Sequence, residues 1–515
     1  MTRLHSRPDH LTPTARRRYL ACRSWTALVV SLLLVAAGCA SHRQQNAGRR
    51  VASSSRANWR SATDSLRRAA KGTSIVICIL DAARADHVGC YGYSRDTTPN
   101  IDRIAQTGFV FENHFAQFPE TKPSTASLFT GEYPDTHLAY GPRTIDKDSF
   151  TLAKGLKVAG YHTALFSANA YASPMWGLGT EFDETVYEPD LKKAGRDIPA
   201  IWKPEALLEL LAPWLRKGPP EPFLLYLHFM PPHDPYLAPA EVKFRYANQT
   251  PPGAWESPYP FAGVELEARK RQRPWSQATF INAYDGNLRY ADWAVGEVER
   301  LLSETGHGDT ILIITSDHGE AFGEHGYRGH TFSAFDESVH IPMIVQMPGL
   351  DPPAPRIKGL TQTVDLLPTL MDLLGVSYPR DHAQGRSLLP LMSGEKSEVN
   401  DYVFARAAGQ PPSYIVRNHD WLLLLYQGER RLRGAPMRGL YDLRKDPRAL
   451  TNVFDQRPEQ AAKLMSVFRA FALTQRLPPL DFVDPDAPPQ ELPQANEIEV
   501  TPEMRRGLKA LGYLK

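Results

Sequence analysis

Cysteine is scarce, with four residues in a chain of 515, and none stands in a CxxC pair. A disulfide scaffold and a cysteine-held zinc site are therefore excluded. No excess of one charge sign dominates either. Lys and Arg number 59 against 57 Asp and Glu, a net of +2. Hydrophobic residues at 42% and charged residues at 23% leave no room for a disordered chain, a collagen or a multi-span membrane protein. No internal repeat is visible. The length suits one large α/β domain with a smaller companion.

The small net charge conceals an asymmetry. Residues 1–72 carry 14 basic and 2 acidic residues, which leaves 45 basic against 55 acidic for residues 73–515. An acidic body is a poor match for a nucleic-acid backbone, so no nucleic-acid partner is expected.

The front end reads as an export signal. Arg16, Arg17, Arg18 and Arg23 precede an uncharged stretch, Ser24 to Ser41, whose core runs Ala27–Val35. It ends in Ala36-Ala37-Gly38 followed by Cys39. A basic start, a short apolar core and small residues before a cut site make a secretory signal. The Cys directly after that site resembles a bacterial lipobox, so residues 1–38 are expected to be removed and Cys39 to be lipidated. An uncleaved single-span anchor and a plain cleaved signal are the alternatives. All three place the body outside the cytoplasm, in the periplasm or at the cell surface. Residues 39–72 read as a basic, polar tether, helical near Trp59–Ala70.

The body carries continuous β-branched runs at Ser74–Leu80 and Thr310–Thr315, with further strands expected at Phe223–His228 and Ile341–Gln346. Runs of this kind suit strands buried on both faces. Helical patterns alternate with them at Thr98–Thr107, Thr151–Ala159, Ile281–Glu304 and Val364–Leu374. The expected fold is α/β, a mostly parallel central sheet sandwiched by helices over residues 73–394. Leu237–Trp275 is rich in Pro and charge and is expected as a long loop over one sheet edge. Short strands and a helix at Pro458–Leu473 mark a smaller α+β subdomain, 395–476. A Pro-rich connector and terminal helix complete the chain at 477–515.

Three polar clusters follow predicted strands or open a helix. Asp81 closes the first strand. Thr121-Lys122-Pro123 begins a helix, with Pro123 in its first turn. Ser316-Asp317-His318-Gly319-Glu320 closes the Thr310–Thr315 strand. Ligands bind at the carboxyl ends of strands in open α/β sheets. Asp81, Asp317 and His318 form a hard N/O donor set without thiolate, suited to one divalent ion of Zn, Mn, Mg or Ca. A Thr hydroxyl is a poor nucleophile until a metal lowers its pKa, and the start of a helix receives an anion. Thr121 is thus expected both to contact the metal and to attack. His233 and His330 are expected to bind or protonate an anionic ester. Lys122 and Arg328 are candidates for substrate binding, with solvated surface positions as the alternative. Arg84, Asp86 and His325 read as structural, His87 and His340 as packing histidines, and Asp285 as a helix-surface residue. Asn113 and Asn169 are candidates for the pocket wall. Cys78 and Cys90 read as free thiols.

Segments Leu80–Tyr93, Thr97–Asn113, Thr121–Gly131, His228–Tyr236, Ser316–Gly326, Val364–Leu374 and Gly385–Leu389 together resemble the sulfatase family of the alkaline-phosphatase superfamily, in family order. The resemblance implies an alkaline-phosphatase-like fold and a metal-dependent ester hydrolase. It departs at specific positions. Sulfatases carry Cys or Ser, converted to formylglycine, where this chain has Thr121, so no formylglycine is expected. They usually carry Arg at Thr125, a second acidic residue at Ala82, and Lys and His near Phe166–Asn169. One Asp, then Thr, then Asp-His is similar to the phospho-transferring and phosphonate monoester hydrolase branch. Phosphoester chemistry is therefore favoured over sulfate ester chemistry. Water can resolve a phospho-threonine, whereas a sulfo-threonine lacks the elimination route of formylglycine. A cell-envelope phospho-group transferase and a non-catalytic surface lipoprotein reusing the fold are the alternatives.

Overall fold

The structure, a computed structural model, describes residues 59–187, 202–253, 276–408, 412–426 and 438–475. The signal, Cys39, most of the tether, residues 254–275 and the 477–515 connector with its terminal helix lie outside the described residues. The chain divides into two compact units, 1–61 and 62–515, and of the first only Trp59–Ser61 are described. No helix among the described residues is long and apolar enough to cross a membrane.

The core of the second unit is an eight-stranded sheet built from β1 (Ile75–Leu80), β2 (Phe109–Phe115), β3 (His162–Ser167), β4 (Glu184–Val186), β5 (Phe223–Phe229), β6 (Ile311–Thr315), β9 (Met343–Gln346) and β10 (Arg356–Gln362). β7 (Ala321–Phe322) and β8 (Arg328–Gly329) form a separate short antiparallel ribbon after β6. The sheet order is β10-β2-β9-β6-β1-β5-β3-β4. β9 alone runs antiparallel to its neighbours. Its strand begins after Pro342, which has no N–H for the ladder, so the predicted start at Ile341 is trimmed.

β1 shows why the sheet sits between two layers. Ile75, Ile77 and Ile79 enter one apolar cluster, and Val76, Cys78 and Leu80 the other. Period-two alternation with apolar residues at every position requires cover on both faces. One layer holds α2 (Thr121–Thr130), α3 (Leu152–Val158) and α6 (Leu366–Leu374). The other holds α1 (Pro99–Ala105), α4 (Pro204–Lys217) and the long α5 (Gln277–Glu304). Residues 62–70, read as the end of the tether, are helical, and Leu66 and Ala70 are buried in the first cluster.

The described part of the Leu237–Trp275 stretch, residues 237–253, includes a helical turn, Ala240–Lys243, packed on α5. Gly286 permits this. A Cβ there would meet the Val242 and Lys243 carbonyl oxygens at 2.6 Å. Asp285 is fully buried, not on the helix surface. It accepts from Tyr93 Oη at 2.7 Å and Arg95 Nη1 at 2.5 Å, and meets His87 Nδ1 at 2.7 Å. A carboxylate can be buried when it is this fully paired. His87 is thus part of a charged network rather than a packing residue alone.

The C-terminal subdomain is an antiparallel sheet, β11 (Val403–Ala407), β12 (Ser413–Arg417), β13 (Trp421–Tyr426) and β14 (Arg438–Asp442), with α7 (Pro458–Ala472) on one face. Its other face packs on Phe115, Phe335, Val339 and Ile341 of the main body. Cys78 and Cys90 are free thiols, Cys78 pushed up to about 12 by burial.

Candidate active site

Four neighbouring strands, β6-β1-β5-β3, end on one rim of the sheet, and each delivers a polar residue there. Asp81 follows β1, Asp317 and His318 follow β6, His228 closes β5 and Asn169 follows β3. All are buried. Asp81, Asp317 and His318 offer ligand atoms within 4.8 Å of one another.

The two carboxylates are held alike. Asp317 Oδ1 accepts from the backbone N–H groups of Ala82 at 3.2 Å and His318 at 2.9 Å. Asp81 Oδ2 accepts from Asn169 Nδ2 at 2.5 Å and lies 3.1 Å from His228 Nε2. The second oxygen of each, Asp317 Oδ2 and Asp81 Oδ1, is buried with no hydrogen-bond partner. Each lies 3.6 Å from His318 Nε2. His318 Nδ1 donates to the Gly319 carbonyl at 2.9 Å, which turns the Nε2 lone pair to the same point. Two orphaned carboxylate oxygens and one imidazole lone pair fit a divalent cation, because buried oxygens left without a donor are costly otherwise. Burial alone would raise Asp81. His233, the hydrogen bond from His228 and His318 outweigh it and hold the carboxyl well below its usual range.

Thr121 is the first residue of α2, after an extended Glu120. Ser124 Oγ donates to the Asp317 carbonyl at 2.5 Å and ties the first turn to the end of β6. Gly131, at φ 69°, ends the helix in a left-handed turn suited to glycine. Thr121 Oγ1 lies 3.4 Å from His318 Nε2 and accepts from Asn169 Nδ2 at 3.2 Å. The hydroxyl therefore sits beside the candidate cation site formed by Asp81, Asp317 and His318, at a helix N-terminus, where negative charge is stabilised.

His233 and His330 form the opposite wall. Their Nε2 atoms are 2.9 Å apart, close enough to share one proton. His330 stacks on His318 with ring centroids 4.4 Å apart. Burial, then His318 and His233, push His330 well below its ordinary range. Thr331 beside it has φ 96°, strained for a β-branched residue. Hydrogen bonds from Thr331 N to the Pro119 carbonyl (2.9 Å) and from Ala408 N to the Thr331 carbonyl (2.7 Å) hold it there.

Lys122 and Arg328 are not solvated. Burial lowers Lys122 to about 8, and its ammonium meets the Gly141 carbonyl and the Trp176 ring at 4.6 Å. Arg328 pairs with Asp234 at 3.3 Å and lies over Phe280 at 3.5 Å. His325 pairs with Glu337 at 2.7 Å and stacks on Phe335, while His340 stacks on Phe115. Asn113 donates to the Lys358 carbonyl at the sheet edge and takes no part in the site. Asn169 does, and so does His228, which reads in sequence only as the end of a strand.

Residues 73–376 match the sulfatase family model, and residues 323–471 match the model of the N-sulphoglucosamine sulphohydrolase C-terminal region. The multifunctional alkaline phosphatase superfamily protein PehA of Trinickia caryophylli is 26% identical over 407 residues, covering 63% of this chain and 77% of that one. An ulvan-active sulfatase of Formosa agariphila is 24% identical over 414 residues, covering 73% and 74%. The crystal structure of the phosphonate monoester hydrolase of Agrobacterium radiobacter superposes with a TM-score of 0.64 at 22% identity, covering 78% of this chain and 95% of that one. The chain belongs to the sulfatase family, enzymes that hydrolyse ester bonds and use a divalent metal.

Proposed function

We propose that the protein is an exported hydrolase in which Thr121 attacks an anionic ester, with phosphoesters preferred over sulfate esters. The placement of the Thr121 hydroxyl, 3.4 Å from His318 Nε2 at the start of α2, carries this reading. Asp81, Asp317, His318 and Thr121 would hold the divalent cation, which lowers the pKa of a hydroxyl beside it and offsets charge on the ester oxygens.

The remaining work falls to the chain itself. Asn169 fixes the Thr121 oxygen through one N–H and Asp81 through the other. Thr121 Oγ forms a bond to phosphorus as the ester P–O bond breaks, and its proton is released. The proton between His233 and His330 passes to the leaving alcohol. Water then attacks the phospho-threonine, giving hydroxyl to phosphorus and a proton to Thr121 Oγ. The histidine pair recovers the proton that Thr121 released. The superposition on a phosphonate monoester hydrolase supports phosphorus as the centre attacked, and the ulvan-active sulfatase of Formosa agariphila makes the sulfate ester the competitor to test. No formylglycine is required, because Thr stands at position 121.

A panel of aryl phosphodiester, aryl phosphate monoester and aryl sulfate, with Mn or Zn present, tests the preference. A phosphoester is expected to be turned over at least roughly 100-fold faster than the sulfate, a gap of about 2.7 kcal/mol in barrier. Faster turnover of the sulfate would sink the reading.

Export and lipidation at Cys39 belong to the same proposal. Intact-mass analysis of the detergent-extracted protein is expected to show a chain that begins at an acylated Cys39. A chain that still carries residues 1–38 would mean that the apolar segment itself is the anchor.

A further inference from the structure

His228 is fully buried among the ligands of the cation site, yet it is not one of the three residues whose free atoms converge there. Its Nδ1 lies 2.9 Å from the Tyr226 hydroxyl, two residues back on the same face of β5. Its Nε2 lies 3.1 Å from Asp81 Oδ2 and 3.8 Å from Asp317 Oδ2. The Asp81 oxygen nearest to Nε2 is the one already held by Asn169, and the orphaned one is Oδ1. For a neutral imidazole these contacts have one direction. The Tyr226 hydroxyl donates to Nδ1, which leaves the proton on Nε2, and Nε2–H donates to Asp81 Oδ2.

We propose that Tyr226 and His228 form a positioning relay for Asp81. The relay clamps Oδ2 so that Oδ1 faces the cation. It rests on the metal-site reading above, and it gives His228 a role through Asp81 rather than as a ligand. It also has a reason specific to this chain. The next residue is Ala82, at φ 63°, and it brings no side-chain oxygen to the site. With a single carboxylate on β1, the orientation of that carboxylate decides whether the site closes. Outer-shell partners of this kind are worth roughly 10–100-fold in metal affinity.

The test is metal affinity, by competition with a chelator, for the wild-type chain, His228→Ala, His228→Gln and Tyr226→Phe, with Mn as the probe. His228→Ala is expected to bind Mn roughly 10–100-fold more weakly. The Gln variant keeps an N–H donor near the Nε2 position and is expected to recover most of the loss. Tyr226→Phe keeps the ring but frees the tautomer, and a loss of several-fold is expected. Pulsed EPR of bound Mn is expected to show one coordinated imidazole, from His318, in the wild type and in His228→Gln. Two imidazoles in the wild type falling to one in the Gln variant would make His228 a ligand and overturn the relay. Equal affinity in wild type and His228→Ala would overturn it as well, leaving the metal site intact. No Mn, Zn or Ca bound by the wild type would overturn the metal-site reading and the relay together.

Discussion

Thr121→Ala is expected to lower kcat by roughly 10⁴-fold or more, the scale on which enzymes lose rate when the nucleophile of a covalent mechanism is removed. The substitution should leave the surroundings in place. Ala is the best helix former and stands at the first position of α2. Ser124 still ties the helix to the Asp317 carbonyl. Asp81, Asp317 and His318 remain, so the metal should still bind, more weakly by the loss of one neutral ligand, and at saturating metal KM should change little. Thr121→Ser keeps the hydroxyl and is expected to stay within about tenfold of the wild type, since it loses only a methyl group. Steady-state kinetics beside metal analysis separates these effects. Substantial turnover by the Ala variant would remove Thr121 from the mechanism and leave water as the nucleophile.

Asp317→Asn is expected to change sign with the metal. Asp317 Oδ1 takes two backbone N–H groups, which an amide oxygen can also accept. The change therefore falls on Oδ2, the orphaned oxygen 3.6 Å from His318 Nε2. Metal affinity should fall by more than the roughly 10–100-fold typical of an outer-shell partner, because a charged ligand is lost. With a chelator present the order should reverse. Two buried carboxylates with unpartnered oxygens weaken the metal-free fold, and removing one charge relieves it. At metal concentrations about 100 times Kd, binding adds about 2.7 kcal/mol to the wild type. Thermal unfolding with and without chelator should show the variant more stable when metal-free and less stable when loaded. The same order under both conditions would mean that no cation is coupled to Oδ2.

The sequence makes some parts of this site legible and hides others for physical reasons. Asp81, Thr121, Asp317 and His318 stand at the ends of strong β-branched runs or in the first turn of a helix, so local pattern places them. The central strands β1 and β6 are equally plain. Strands β2 and β10 are interrupted by polar residues such as Glu112 and Lys358, and β3 is short and bounded by His162 and Ser167, so no run announces them. Helix α4 carries Pro213 in its interior, which obscures its pattern. Asn169 follows β3 and His228 lies in β5, and only the sheet order, β1-β5-β3, brings both ends to the side of Asp81. Asp285 misleads in the opposite way. Its helical position suggests an exposed face, and only the tertiary contacts of Arg95, Tyr93 and His87 make its burial tolerable.

The row of four strand ends also sets a timetable. Asp81 meets Asn169 across 88 residues of chain, His228 across 147, and Ala82 meets Asp317 across 235. Closures this distant are slow, because loop entropy is lost before any contact compensates for it. The cation site is absent until β6 has returned to the side of β1. A chain arrested short of that step has no place for the ion. Metal capture during refolding therefore timestamps the pairing of β6 with β1, ahead of or together with the insertion of β9 between β6 and β2, and a growing chain presents no competent site before its residues near 318 have emerged.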